Sequence, residues 1–293
     1  MQPVRRLAVI GVGLIGGSCA LALKRAGMVE RVVGIGRGAA NLERAMALGV
    51  VDEVSTDVAR GVDGADVVLV TTPVGQMGPI FDALRSAVAP DAVITDGGST
   101  KRDVVAAARE RLVERLPRFV PAHPIAGAER SGADAARADL FVQRHVVLTP
   151  LPETVPDAEA RVRALWSACG ARVSSLTPEQ HDGVFAAVSH LPHALAYALV
   201  QMVAERADAG LLFSFAAGGF RDFTRIASSS PEMWRDICLA NRDALLADLD
   251  AYNAMLARLR MLLDRADGEG LERLFTSARD ARDAWLRSME TPQ

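Results

Sequence analysis

The sequence predicts an α/β domain built on a parallel sheet, followed by an all-helical C-terminal domain. In the first half, short apolar runs alternate with stretches rich in Ala, Leu and Arg. A glycine-rich turn follows the first apolar run, and after residue 177 the pattern is almost entirely helical. Apolar strands separated by helices are typical of βαβ units, whose strands run parallel.

Six runs in the first half are predicted as strands. They are continuously apolar rather than alternating, as expected when helices cover both faces of a parallel sheet. The stretch SCALALKRAG between the first two runs ends on Gly27, a residue suited to a helix C-terminus. The predicted strands are Leu7–Ile10, Arg31–Ile35, Val67–Val70, Ala92–Thr95, Phe119–Pro121 and Val146–Leu148.

A proline-rich segment, TPLPETVPDAEA, marks the change between the two parts. One more helix (Ala158–Cys169) and one more strand (Arg172–Leu176) are predicted at its end and beyond it. Thr177 and Pro178 then suit the N-cap and the first turn of a helix. We therefore divide the chain into a sheet domain and a second segment that holds the end of the sheet and the helical domain. The two ranges are 1–155 and 156–293.

From Pro231 onward the sequence predicts one long helix with a continuous apolar seam. The seam is long for a helix that packs within a small domain, so we expect a homodimer formed through the helical domain. The alternative is that the seam belongs to the core of a single chain. Its residues are spaced by three or four and are Leu245, Leu249, Tyr252, Leu256, Leu259 and Leu263.

Composition argues against several classes of partner. Half of the 293 residues are hydrophobic and the formal net charge is −3, so neither nucleic acid nor a membrane surface is an expected partner. The three cysteines are far apart and form no Cys/His cluster, which argues against a zinc site and against a disulfide framework. We recognise no signal peptide and no apolar stretch long enough to span a bilayer, so we expect a cytoplasmic protein.

A glycine motif, Gly11-x-Gly13-x-x-Gly16, follows the first predicted strand and opens a helix. Here the first glycine permits a tight turn, the second lets a pyrophosphate approach, and the third allows close packing of helix and strand. Free N–H groups at the helix start then face the phosphates. The motif predicts a dinucleotide-binding, Rossmann-type domain. The alternative is a turn that needs glycine for structural reasons alone.

The end of the second strand bears on the choice of dinucleotide. An acidic residue there usually binds the adenosine ribose, but this chain has Gly36 followed by Arg37. With Gly36 in place of an acidic residue, no carboxylate repels the 2′-phosphate of NADP. Arg37 is able to donate two N–H groups to the oxygens of that phosphate. The neighbouring Gly38 and Asn41 are small and polar. We therefore expect NADP to be favoured over NAD. The alternative is that Arg37 points to solvent or stacks on the adenine, while NAD binds through other groups.

Three further motifs place candidate residues at the carboxyl ends of strands. In TDGGSTK, Ser99 is expected at the mouth of the crevice, and in HPIAGAERSG, His123 is placed to take a proton as hydride leaves. For His123 alone, a loop histidine with a backbone hydrogen bond is the simpler interpretation. Thr72 and Pro73 in TTPV close the third strand, where ligands bind, although a turn with a proline also explains them.

Two motifs in the helical part contain candidate substrate-binding residues. SHLPH contains Ser189 and His193, together with Pro192, which is expected to kink or interrupt a helix. GGFRDFTRIASSSPEMW contains Arg225, whose guanidinium suits bidentate binding of a carboxylate. For Asp222 in the same motif, an ion pair at a helix end is the better interpretation.

Taken together, these motifs resemble the prephenate/arogenate (cyclohexadienyl) dehydrogenase family of tyrosine biosynthesis. The matching stretches are GVGLIGGS, TDGGSTK, HPIAGAERSG, SHLPH and GFRDFTRIASSSPEMW, in the family's order. The resemblance implies a Rossmann domain and a helical dimerisation domain. It also implies oxidative decarboxylation of prephenate, arogenate or both, with hydride transfer to NAD(P).

The resemblance also implies roles for single residues. His123 is the base that accepts the proton of the ring hydroxyl, and Ser99 touches this hydroxyl and the nicotinamide. Arg225 binds the ring carboxylate.

Other roles concern the rest of the pocket. Ser189 and His193 lie near the substrate side chain, with His190 as a packing residue, and Glu129 gates the pocket. No metal is expected. The predicted cofactor-binding residues are Gly11, Gly13, Leu14, Ile15, Gly16, Arg37, Thr72, Pro73 and Ser99.

Two rival functions use the same fold. A non-catalytic NAD(P)-binding sensor or scaffold needs the glycine loop but not the other site residues. A β-hydroxyacid or imine reductase relies on a lysine in its helical domain, and this chain has no lysine after Lys101.

Regulation and substrate choice are less constrained. We recognise no ACT module after the helical domain and no chorismate mutase before residue 7, so we expect any inhibition by tyrosine to act at or near the active site. The choice between prephenate and arogenate stays open.

Overall fold

The computed structural model describes residues 3–127 and 132–290, and its first part is a six-stranded parallel sheet. Its spatial order is β3-β2-β1-β4-β5-β6, so the order reverses between β1 and β4. Open α/β sheets bind their ligands at such a switch point, beyond the carboxyl ends of the strands. The strands are β1 (Val4–Ile10), β2 (Val29–Ile35), β3 (Glu53–Ser55), β4 (Val67–Val70), β5 (Val93–Asp96) and β6 (Phe119–Val120).

Helices cover both faces of this sheet and enclose two apolar cores. Neighbouring residues of β1 belong to opposite cores, with Val9 packed in the cluster of Trp166 and Ile10 in the cluster of Phe81. All four residues of β4 are buried, which explains why this strand is apolar without alternation. The helices are α1 (Leu14–Arg25), α2 (Ala39–Ala47), α3 (Val58–Val62), α4 (Met77–Ala87), α5 (Arg102–Arg111) and α6 (Pro156–Ala168).

A second, three-stranded sheet corrects one strand prediction. The predicted strand Phe119–Pro121 ends at Val120, and after Pro121 the chain enters β7 (Ala122–Pro124). Pro121 has no N–H to donate to a ladder, so it stands between two strands rather than inside one. β7 pairs antiparallel with β8 (His145–Leu148), which pairs parallel with β9 (Arg172–Ser175). His123 therefore lies within a short strand, opposite Val147, and not just beyond the end of a strand as predicted from the sequence.

The helical part begins as the sequence predicts. Thr177 N-caps α7, because its hydroxyl accepts from the Gln180 N–H at 3.2 Å and the Gln180 side chain accepts from the Thr177 N–H at 3.0 Å. Pro178 occupies the first turn. The helices are α7 (Pro178–Phe185), α8 (Leu191–Ala204), α9 (Ala209–Ser214), α10 (Gly218–Thr224), α11 (Pro231–Ala240), α12 (Arg242–Asp264) and α13 (Gly268–Glu290).

The prediction of one long helix from Pro231 is wrong at one residue. The helix breaks at Asn241, which separates α11 from α12. The Asn241 side chain turns inward, where its Nδ2 donates to the Asp182 carbonyl at 2.8 Å, and its backbone leaves helical geometry at ψ 31°. A buried side-chain contact therefore overrides helix propensity at this position.

The chain divides into two compact units, Met1–Ala244 and Leu245–Gln293. The second unit holds most of α12 and all of α13. In the predicted apolar seam, Leu245 is buried, but Leu256 and Leu263 keep 44% and 60% of their surface exposed. The intrachain alternative therefore does not account for these two leucines. The boundary at residue 155 stays a prediction.

One helical run has the length and composition of a membrane-spanning helix, a test that the core helix of a globular protein also passes. Pro178–Ala204 is a run of 27 consecutive helical residues. Its most apolar 18-residue window has a mean hydropathy of 1.4, and 22% of that window is buried. By length and composition alone, this run is able to cross a bilayer. Its sequence is not a continuous apolar stretch, because polar residues interrupt it. Three of these have buried side chains: His181, Asp182 and His190.

Candidate active site

The glycine loop after β1 has the shape that a dinucleotide requires. Gly11 has φ +97°, and a side chain there would lie 2.9 Å from the Thr71 carbonyl carbon. A side chain at Gly16 would meet the Thr71 hydroxyl at 2.4 Å. At Gly13, by contrast, a Cβ meets nothing within 4 Å. Two glycines are therefore needed for packing, and the third opens the backbone to a ligand.

The start of α1 completes an anion site at this loop. Gly13 is its N-cap without any side-chain cap, and the first turn, which begins Leu14-Ile15, contains no acidic residue. The N–H groups of this turn are thus directed at the place that Gly13 leaves open. The donor set fits the pyrophosphate of NAD(P).

Three sequence motifs meet around Gly97, which follows β5. A Cβ at this position would lie 3.0 Å from Thr71, 3.3 Å from Ile15 and 3.7 Å from Pro124. The glycine loop, the TTPV motif and the strand of His123 therefore converge here. Half-buried Ser99 lies two residues further on in the same loop.

The TTPV motif has an uncompensated polar group. Thr71 donates its hydroxyl to the Gly11 carbonyl at 2.7 Å and so fixes the glycine loop. Thr72 Oγ1 is buried without a hydrogen-bond partner among the described residues. Pro73 then leads into a short 3₁₀ turn, Val74–Gln76. A bound cofactor is a suitable partner for such a hydroxyl.

The end of β2 is open at the positions that bear on the dinucleotide. A Cβ at Gly36 meets its nearest neighbour, Leu42, at 3.6 Å, so there is room for a side chain. Arg37 is exposed. Asn41 is engaged elsewhere, because its Nδ2 donates to the Val12 carbonyl at 2.7 Å and its Oδ1 accepts from the Ala133 N–H at 3.0 Å. Asn41 thus ties α2 to the glycine loop.

His123 contacts a second histidine that the sequence did not single out. Its Nδ1 lies 2.8 Å from His181 Nε2, and His181 Nδ1 lies 2.8 Å from Asp182 Oδ1. Burial, together with the charges of His181, Lys101 and His190, holds the pKa of His123 well below its ordinary value. His123 is therefore neutral and able to accept a proton.

Asp182 links α7 to the start of α5. Its two oxygens accept from the backbone N–H groups of Lys101 at 2.8 Å and Arg102 at 2.9 Å. Burial acts to raise the pKa of Asp182, but the hydrogen bonds from His181, Arg102 and Lys101 together hold that pKa below its ordinary value. Asp182 is thus a carboxylate, and it caps a helix some 80 residues away in sequence.

A fully buried ion pair supports the loop of Ser99 and the strand of His123, the candidate catalytic residues. Lys101 Nζ donates to Asp96, and neither side chain is exposed. Asp96 also accepts from the Gly98 N–H at 2.7 Å, next to Ser99, and from the Ala122 N–H at 3.1 Å, next to His123. One carboxylate therefore fixes the backbone beside both residues.

On the helical side, the SHLPH motif opens a widened turn. Residues Ala186–His190 are π-helical, and Pro192 lies in the first turn of α8. A wider turn accommodates a proline that has no N–H to donate, and such turns are frequent at functional sites. Pro192 thus changes the helix locally, and the helical run itself continues to Ala204.

His193 lies in the first turn of α8, directly after the π-helical turn, with its ring fixed. Its Nδ1 donates to the Ser189 carbonyl at 2.8 Å, and its ring stacks on Trp234 with centroids 3.6 Å apart. Burial lowers the pKa of His193, the Ser189 bond opposes this, and the positive charge of Arg225 lowers the pKa further. Arg225 therefore belongs to the surroundings of His193, at the C-terminus of α10.

Sequence reasoning missed His181, Asp182, Asp96, Lys101 and Asn241. Asp96 and Lys101 lie inside the quoted TDGGSTK motif, so their proximity was a usable signal. His181 and Asp182 are adjacent polar residues early in an amphipathic helix, and nothing local points to their distant partners. Glu129 lies outside the described residues. Within 3–127 and 132–290, no three His, Cys, Asp or Glu side chains are grouped to bind a metal ion.

The fold and the site define an NAD(P)-dependent dehydrogenase with a Rossmann domain and a helical domain. Residues 19–175 match the nucleotide-binding domain of prephenate dehydrogenase, and residues 177–277 match the dimerisation domain of the same enzyme. The chain belongs to the prephenate dehydrogenase family, which confirms the resemblance recognised in its motifs. Membership selects this activity over the two rival functions.

Several relatives cover almost the whole chain. A prephenate dehydrogenase of Bacillus subtilis is 39% identical over 94% of this chain and 75% of its own length. A cyclohexadienyl dehydrogenase of Zymomonas mobilis is 38% identical over 96% of both chains. The crystal structure of the Aquifex aeolicus prephenate dehydrogenase with hydroxyphenyl propionate and NAD+ superposes with a TM-score of 0.88 at 34% identity, covering 96% of this chain and 98% of the other.

A structure of the Synechocystis arogenate dehydrogenase is also similar. Its TM-score is 0.79 at 31% identity, over 96% of this chain and 99% of the other. The match to a dimerisation domain supports the predicted homodimer. The predicted fold class is confirmed as well.

Proposed function

We propose that this protein catalyses the oxidative decarboxylation of prephenate, arogenate or both in tyrosine biosynthesis, with hydride transfer to NAD(P), in the cytoplasm. The observation that carries the proposal is a neutral, hydrogen-bonded His123 on a strand that reaches the glycine loop. This arrangement supports the assignment of His123 as a base beside a dinucleotide site. Family membership supplies the substrate class.

The reaction needs a base and accurate positioning. NAD(P), bound at the glycine loop and helix α1, supplies the hydride acceptor. His123 accepts the proton of the ring hydroxyl as hydride leaves the same carbon, and Ser99 holds that hydroxyl. Loss of CO₂ from the opposite ring carbon makes the ring aromatic. Because aromatisation drives the reaction forward, proton transfer and orientation are the main demands on the protein.

The remaining groups bind the acidic substrate. Arg225 pairs with the ring carboxylate, and Ser189 and His193 lie at the substrate side chain. The stacking of His193 on Trp234 supports this, since it fixes an imidazole near the Arg225 charge. We assign Glu129 to the gate of the same pocket.

The chain's cofactor preference is for NADP over NAD. The room at Gly36 and the exposure of Arg37 support this, because the end of β2 then offers a guanidinium to a 2′-phosphate and no carboxylate to repel it. The expected cost of losing Arg37 is about 1.5–3 kcal/mol in NADP binding, the range for a hydrogen bond to a charged group.

Steady-state rates test both proposals. Initial rates with prephenate and arogenate, each with NAD and NADP, establish the substrate and the cofactor. Arg37→Ala should lower kcat/KM for NADP and spare NAD, and Gly36→Asp should shift the preference toward NAD. Arg31→Ala, at the other end of β2 and paired with Glu53 at 2.9 Å, is the matched control. A wild type that prefers NAD, with no change in Arg37→Ala, would contradict the cofactor assignment.

A further inference from the structure

His181 holds a position between the candidate base and a carboxylate. It is fully buried on α7, with His123 on one side of its ring and Asp182 on the other, each at 2.8 Å. Its ring also packs on Phe185, with centroids 4.5 Å apart. The three side chains form a continuous hydrogen-bonded series, His123–His181–Asp182.

The direction of each hydrogen bond follows from the partners of Asp182. Its oxygens accept from the Lys101 and Arg102 N–H groups, so the carboxylate is an acceptor and His181 Nδ1 must donate to it. A neutral His181 carries a single ring proton, and its Nε2 is then left with a lone pair. That lone pair accepts a proton from His123 Nδ1. His123 Nε2 is consequently unprotonated.

We propose that His181 is a positioning residue that fixes the tautomer of His123, with its proton on Nδ1 and its lone pair on Nε2. The inference rests on the proposed function, because only a dehydrogenase that deprotonates its substrate needs the lone pair on that nitrogen. Asp182 acts one step further away, by orienting His181. Histidines that act as bases are oriented in this way by a hydrogen bond to their other nitrogen.

The other groups around His123 agree with a neutral ring. His181, Lys101 and His190 act on it electrostatically, and the Phe185 ring lies 4.9 Å away. Lys101 is engaged with Asp96. Burial lowers the pKa of His181, although Asp182 opposes the effect. No carboxylate contacts His123 directly among the described residues, so its orientation depends on His181.

Two substitutions separate hydrogen bonding from packing. His181→Phe keeps an aromatic ring against Phe185 and removes the acceptor. His181→Gln puts an amide oxygen in place of Nε2 and so keeps the acceptor. We expect His181→Phe to lower kcat by about 10- to 100-fold, within the range for loss of acid–base assistance, with KM changed less than about threefold. His181→Gln should recover most of kcat.

Nitrogen-15 NMR of the histidine rings reads the tautomer without substrate. The chain has five histidines, so the spectrum is assignable by single substitutions. In the wild type, His123 should be protonated on Nδ1, and in His181→Phe the Nε2–H form should appear. His190→Phe, which removes another buried histidine of the same helical run, is the matched control and should leave the His123 tautomer unchanged.

The outcomes are distinct from those of the proposed function. A wild type without activity on either substrate would refute the function, whereas the tautomer is measured on the protein alone. Protonation of His123 on Nε2 in the wild type would overturn the inference, and this result needs no variant to fold. Wild-type turnover in His181→Phe, or a loss of kcat that His181→Gln does not recover, would also overturn it.

Discussion

The buried pair of Lys101 and Asp96 should contribute strongly to stability, and Lys101→Met tests this. Methionine fills a similar volume and removes the charge. The Asp96 carboxylate then still accepts hydrogen bonds from the N–H groups of Gly98 and Ala122, but it has lost its cation. Its side chain is fully buried. Breaking a buried pair in this way costs about 3–5 kcal/mol, and because two donors remain we expect a loss of about 3 kcal/mol.

A double-mutant cycle separates the pair from the volume change. The double variant Asp96→Asn/Lys101→Met buries no unpaired charge. Its loss in free energy of unfolding should therefore be smaller than the summed losses of the two single variants, by at least about 2 kcal/mol. The assay is urea unfolding followed by tryptophan fluorescence, with Trp166 buried in one core. Protein concentration must be fixed, because a dimer's stability depends on it.

The chain's other lysine supplies the control. Lys24 pairs with Asp52 at 2.7 Å, with 24% and 40% of their side chains exposed. Lys24→Met should cost less than about 1 kcal/mol, as exposed pairs do. Equal losses for Lys24→Met and Lys101→Met, or additive losses in the cycle, would refute the reasoning.

Three further predictions concern the site. His123→Asn should keep cofactor binding and lower kcat at least about 10²-fold, and near-normal turnover would remove the base assignment. Arg225→Ala should raise the substrate KM, because it removes about 2–5 kcal/mol of substrate-binding free energy, and should leave the cofactor affinity unchanged. Normal substrate binding in this variant would show that Arg225 is only structural. Burial lowers the pKa of His190 to about 4, so the unfolded chain binds more protons between pH 6.5 and 4. His190 should therefore contribute a fall of about 2–4 kcal/mol in the free energy of unfolding as pH drops through this window, and His190→Gln should reduce the dependence measured by urea titration by that amount.

Local patterns predicted the parts of the fold that local physics determines. The glycine loop, five strands of the first sheet and the Thr177 cap depend on residues a few positions apart, and the structure has all of them. Strand β3 was missed because its three residues, Glu53–Ser55, form no apolar run. The break at Asn241 was missed because its cause is a contact with Asp182, 59 residues away.

The candidate site was predicted in the same uneven way. Ser99 and His123 were singled out because each follows a predicted strand, although His123 itself lies within β7. The partners of His123 were not singled out, since His181 is 58 residues away and a histidine on a helix gives no local sign of its role. Long-range polar contacts of this kind are decided by the packing of whole elements.

The capping of α5 by Asp182 has a consequence for chimaeric proteins. Exchange of the nucleotide-binding half between relatives is an obvious way to alter cofactor use, and residue 176 is a natural crossover between the two matched regions. Such a crossover separates Lys101 and Arg102 from the carboxylate that accepts their N–H groups. A hybrid whose other parent supplies no carboxylate at position 182 should therefore lose this cap, whereas a crossover beyond residue 182 keeps it intact.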